Sequence, residues 1–81
     1  MDNKTAIIDR KVWNLIEDAS EQACAEYGVD EKEVWDDRRF GYLQEFADGL
    51  IQEVLEWGRS YESVRSSAIN YVRAVIMQFA A

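Results

Sequence analysis

Two short acidic runs hold the side chains best placed to do chemistry. Glu17, Asp18 and Glu21 fall on one predicted helix, and Glu45 and Asp48 fall on the next. A spacing of four residues puts Glu17 and Glu21 on one helix face. If the two helices pair, the runs could converge on a hard cation such as magnesium, which would hold a pyrophosphate. Other chemistry is scarce. Histidine is absent and Cys24 is the single cysteine, which excludes Ser-His-Asp and Cys-His nucleophiles and mixed Cys/His zinc sites. One cysteine also makes no internal disulfide, so a reducing, cytoplasmic setting is expected.

The acidic arrangement resembles the signature of the all-α MazG-type nucleotide pyrophosphohydrolases, a Glu-Glu-x-x-Glu run followed after a spacer by Glu-x-x-Asp. The segment Gln44-Glu45-Phe46-Ala47-Asp48-Gly49-Leu50 is similar to its second half, and the likeness covers about a third of the chain. In the first half Asp18 stands where glutamate is usual. The helix expected before it and a clear lysine or arginine cluster for phosphates are missing. The resemblance implies a magnesium-dependent nucleotide pyrophosphohydrolase as one alternative. The residues themselves favour a chain that is not an enzyme and needs no cofactor or metal.

Charge is distributed unevenly. The 81 residues carry a net charge of −7. Residues 1–11 sum to +1, residues 12–37 to −8 with a single base, and residues 38–81 to zero. The excess comes from Glu17, Asp18, Glu21, Glu26, Asp30, Glu31, Glu33, Asp36 and Asp37. Asp30, Glu31 and Glu33 suit a helix N-terminus, where the macrodipole favours acids. Glu26 sits at a predicted helix C-terminus, where it does not. Glu17 and Glu21 repel each other across one turn. Such a face either keeps the chain soluble or docks on a basic surface. Carboxylates on rigid helices can imitate a row of phosphates.

Periodicity supplies the elements that position these groups. The chain has no proline and no stretch that alternates as a strand should, while 48% of its residues are hydrophobic. The first predicted helix covers about 9–27, with Asp9 as N-cap, Ile8 and Trp13 as a hydrophobic staple, and a stripe of Val12, Ile16, Ala19, Ala23 and Tyr27; the residues before Asp9 either form an arm or extend the helix, with Asn3 as the cap of the earlier start. The second covers about 30–57 with a kink near 40–41. Asp30 and Glu33 form a capping-box-like pair there, flanked by Val29 and Val34. Its later apolar face runs from Leu43 to Trp57, and Gly49 beside that face could allow a close helix approach. The third covers about 60–80 from the N-cap Ser60. Val64, Ala68, Tyr71, Val75 and Phe79 make one stripe, and Ile69, Val72 and Ile76 a second. Gly28 and Gly58 follow helical runs as C-terminal caps. The expected fold is one all-α domain over residues 1–81, a compact bundle of three helices, or four if the second breaks near Gly41.

Three further features bear on function. The turn Gly58-Arg59-Ser60 and the helix after it have the lengths of a helix-turn-helix, with Ser63, Arg65, Ser66, Ser67, Asn70 and Arg73 as polar groups. The acidity of the whole chain opposes that alternative, because phosphate attraction supplies much of DNA affinity. Trp13 and Trp57 lie on apolar stripes and are expected in the core. Trp35, among Glu31, Glu33, Asp36 and Asp37, either closes the core near Phe40 or anchors a partner. The second stripe, Ile69, Val72 and Ile76, is expected to form a homodimer interface. No apolar leader follows Met1-Asp2-Asn3-Lys4, and no run is long enough to span a membrane, so no membrane partner is expected.

Together these features point to a small acidic protein that binds stoichiometrically. The partner expected is a basic protein, of the nucleic-acid-binding or nucleoprotein kind, rather than nucleic acid itself. Inhibitors encoded by phages and mobile elements have this character.

Overall fold

The computed structural model describes residues 2–38 and 42–81. These carry four α-helices and no strand: α1 Asn3–Tyr27, α2 Glu31–Asp36, α3 Leu43–Trp57 and α4 Tyr61–Ala80. The helical bundle matches the expectation from sequence. The second predicted helix is two, helical to Asp36 and again from Leu43. Arg39, Phe40 and Gly41, where the sequence places the kink, lie outside the described residues.

Helix ends follow local chemistry. α1 starts earlier than Asp9 implies, because Asp2 is its N-cap and accepts a 2.7 Å hydrogen bond from the Thr5 amide. That bond holds the Asp2 carboxyl below the usual carboxylate range. Asp9 is therefore interior to α1, and Ile8 is buried in the core. Gly28 and Gly58 close α1 and α3 at φ 65°, a left-handed conformation that costs glycine nothing. Past Gly28 the Val29 amide donates to the Cys24 carbonyl at 3.0 Å, the six-to-one bond of a Schellman end. Ser60 caps α4 by accepting from the Ser63 amide at 3.2 Å. Arg59 fastens the turn before it, pairing with Glu53 of α3 and bonding Ser63 and Ser67 of α4.

The main helix–helix contacts all involve α1. Lys11 of α1 sits 4.9 Å above the Tyr61 ring, and Glu26 pairs with Arg73, so α1 and α4 run parallel. Phe46 of α3 stacks on Tyr71 of α4 with centroids 3.9 Å apart, and the two lie about equally far from the Gly58 turn. α3 is thus antiparallel to α4. The core is one cluster: Ile8, Val12, Ile16, Ala19 and Ala23 from α1, Val34 from α2, Ala47, Leu50 and Ile51 from α3, and Val64, Ala68, Val72 and Ile76 from α4.

Three expectations need correcting. On α4 the buried line steps by four through Val64, Ala68, Val72 and Ile76, all fully buried, while Tyr71, Val75 and Phe79 are half-buried beside it. The facing surface of α1 selects this line. Val72 and Ile76 therefore belong to the chain's own core and are not open to a second copy. Trp57 is 79% exposed, because the last residue of α3 projects beyond the layer that covers the helix. Gly49 serves no close approach: a Cβ there would meet nothing within 4 Å. Trp13 does pack against the core, half-buried.

Two sites test this packing by chemical denaturation, and a third tests the open space at Gly49. Ile76→Ala should cost about 2–5 kcal/mol, and Phe79→Ala should cost less than the roughly 3–5 kcal/mol of a fully buried phenylalanine. Gly49→Ala should raise stability by about 1 kcal/mol, since it adds helix propensity without a clash.

Candidate functional site

The acidic segment is held by a short-range fold-back. Asp30 caps α2 by accepting from the Lys32 amide at 2.9 Å, so the bond goes to the second helical residue, not to Glu33 as a capping box would have it. Val34 is fully buried and Val29 packs beside the core, which turns α2 back along the second half of α1. Trp35 completes the docking. Its indole Nε1 donates to Ser20 Oγ at 2.7 Å, fifteen residues earlier, and Ser20 itself is 1% exposed. Burial first, with the carboxylates of Glu31 and Asp30 nearby, pushes the buried Cys24 thiol above its ordinary value, and the neighbouring Ser20 hydroxyl offsets only part of this. Trp35 is thus a half-buried structural contact between α1 and α2, with its polar tip turned inward.

The fold-back divides the nine acids into two groups. Helical spacing puts Glu17 on the flank of α1 that carries Ser20 and Cys24, where α2 lies, and Glu21 beside it, facing solvent. Glu31, Glu33 and Asp36 belong to α2, and of these five side chains all but the half-buried Glu31 are exposed. Asp30 lies at the cap of α2, and Asp37, half-buried, follows its last residue. Asp18 and Glu26 lie elsewhere, on the flank of α1 that faces α4. Asp18 lines a cleft with Arg65, and Glu26 accepts two hydrogen bonds from Arg73 Nη2 at 2.7 and 2.8 Å. The pairing raises the Arg73 pKa through that hydrogen bond first. Glu26 is therefore no unpaired member of an acidic face. The pairing, 47 residues apart in sequence, had no local signal.

The chain matches no protein-family model, no curated protein and no solved structure.

Among the described residues, no three carboxylates or thiols form a group able to hold a metal ion. Glu17, Asp18 and Glu21 do not come together with Glu45 and Asp48 in such a group. Asp48 instead accepts a hydrogen bond from Gln44 at 2.9 Å, within α3. On the start of α4, Ser63 and Ser67 are engaged by Arg59, whereas Arg65, Ser66, Asn70 and Arg73 are exposed. Of the expected dimer stripe only Ile69 remains accessible, half-buried at the α1–α4 cleft. No helix among the described residues is long and apolar enough to cross a membrane.

The α2 docking has two readouts. Trp35→Phe, which keeps an aromatic ring and loses the donor, should cost about 1 kcal/mol in denaturant unfolding. Trp35→Ala should loosen α2 and make Cys24 react with a thiol reagent on the order of ten times faster than in the native chain. The pH sign is also fixed. The folded thiol gives up its proton later than the unfolded one, whose ordinary value is 9.0, so its share of stability is lost as pH rises above about 9. Cys24→Ser should flatten that part of the stability profile.

Proposed function

We propose that this chain is a small binding protein that docks an acidic surface on a basic surface of a larger protein and thereby inhibits or regulates it. One observation carries the reading. The Trp35–Ser20 bond and the buried Val34 fold α2 back on α1, so that acids from two separate stretches of sequence share one side of the molecule. Lys32 is the one base within residues 12–37. A surface selected for stability alone would intersperse bases among these acids, since like charges at helical spacing repel.

The arrangement suits recognition for two reasons. The carboxylates stand on helices already ordered by packing, so binding orders little more than their side chains. Their summed field attracts a lysine- or arginine-rich surface from a distance and fixes its register on contact. Surfaces of that kind ordinarily hold phosphates, which makes a nucleic-acid-binding protein or a nucleoprotein the natural class of partner. Glu17, Glu21, Glu31, Glu33 and Asp36 are the contact residues proposed. Trp35 supports the surface from beneath and is not itself the anchor.

The test replaces those five residues by their amides. The variant should fold, because none of the five is in the core. A basic protein captured by the wild type at low salt and then purified should bind the variant at least about tenfold more weakly, with a flatter dependence of affinity on salt. Equal affinity and equal salt slope would remove the proposal.

A further inference from the structure

A second surface lies on the other flank of α1, away from α2. The parallel helices α1 and α4 leave a cleft between them that runs through two neighbouring hollows of about 160 and 240 Å³, with Ala19, Gln22 and Ile69 common to both. Its floor is apolar and shallow, made of Leu15, Ala19 and Ala23 from α1 and Ile69 from α4. Its walls carry opposite signs at matching levels. Asp18 on α1 stands level with Arg65 on α4, and two turns further on Glu26 already pairs with Arg73 across the cleft, a bond that a second copy would exchange for the same pair between chains. All four charged side chains are exposed, and Ile69 and Leu15 are half-buried.

We propose that this cleft is the self-association surface of the chain, closed by a second copy related by a two-fold axis parallel to α1 and α4. The charge pattern selects both the occupant and the axis. Rotation about an axis along the helices lays α1 of one copy over α4 of the other at the same level. The acidic wall of each copy then meets the basic wall of the other, Asp18 against Arg65 and Glu26 against Arg73, while the Ile69 side chains close over the floor. A two-fold axis across the helices would instead set α1 on α1 and α4 on α4, placing arginine wall against arginine wall. An isologous interface needs a self-complementary patch, and only the first arrangement makes this one so. The result is a four-helix layer of two α1 and two α4, with the short side chains of Ala19 and Ala23 allowing close approach. The net charge of −7 on each copy opposes association, but Glu17 and the acids of α2 lie on the opposite flank, and Glu21, one turn from both Asp18 and Cys24, stands between the two flanks facing solvent. The dimer is thus independent of the acidic docking proposed above and would carry two such faces outward.

A charge-swap experiment tests it. Wild-type chain, 9.4 kDa, should sediment at twice that mass in the high micromolar range. Asp18→Arg alone places two guanidinium groups against each other at each contact, the introduced one facing Arg65, and should sediment as a monomer. Arg65→Asp alone places two carboxylates against each other, the introduced one facing Asp18, and should do the same. An equimolar mixture of the two variants should recover the doubled mass. In the mixed dimer one contact joins the two introduced side chains and the other joins the native Asp18 and Arg65, and both are of opposite sign. Circular dichroism and melting confirm that each variant is folded. Should either reversal not fold, Asp18→Asn and Arg65→Gln replace them and should each weaken the dimer at least about tenfold. A monomeric wild type, a dimer that ignores the single changes, or a mixture of folded variants that stays monomeric would overturn the proposal.

Discussion

In a chain of 81 residues the area that can be withdrawn from water is small, and the way α1 shares its surface decides the rest. α1 is the longest helix, and α2, α3 and α4 each pack against it more than against one another. Its buried residues are Ile8, Val12, Ile16, Ala19, Ser20, Ala23 and Cys24, a band too broad for one neighbour. The side with Ser20 and Cys24 takes α2, the side with Ala19 and Ala23 turns towards α4, and Val12 and Ile16 lie between. The small side chains at positions 19, 20, 23 and 24 let neighbours approach closely, so the second half of α1 can carry helices on both flanks.

That division explains which parts of the fold were legible in the sequence. Ends marked by local hydrogen bonding could be read: Gly28 and Gly58 as left-handed caps, Ser60 as the start of α4, Asp30 as the start of α2. The choice of buried stripe on α4 could not. Val72 and Ile76 sit one residue from Tyr71 and Val75, and both pairs continue an apolar line at helical spacing. Only the shape of α1 decides between them, and that is a property of a helix far away in the sequence. Trp57 misled for a related reason, since periodicity assigns a face but does not say that the helix has outrun the layer covering it. Asp9 misled because the helix takes the earlier start that the sequence also offered at Asn3, capped one residue before it by Asp2 through its bond to Thr5.

The acidic surface was legible as a property of a segment, and its division was not. Counting charges over residues 12–37 gives a single block of nine acids, whereas the fold sends Asp18 and Glu26 to one flank and Glu17 to the other, with Glu21 between them. The separation follows from the helical period alone once it is known where α2 and α4 lie. Adjacent residues such as Glu17 and Asp18 point about 100° apart, enough to put them beside different neighbours. The inward turn of Trp35 had a visible clue that was ambiguous: a tryptophan among acids can anchor a partner, or it can reach back for a buried hydroxyl. Ser20, the one buried polar residue among those described, is what resolves it.

The two flanks of α1 also differ in how their charges are neutralised, and this separates their roles. On the α4 flank Glu26 and Arg73 already pair within one chain, with both side chains about half exposed, so their pairing is screened and easily exchanged for the same contact with a neighbour. In the proposed dimer the number of ion pairs would be conserved, so the apolar floor around Ile69 would have to outweigh the entropy lost on association. On the α2 flank residues 12–37 offer the acids no base other than Lys32, itself exposed on α2. Neutralisation from within that segment is therefore slight. A helix whose one side is balanced and whose other side is not can assemble through the first while leaving the second available, and both properties follow from the placement of Glu17 and Asp18 on either side of one helical ridge.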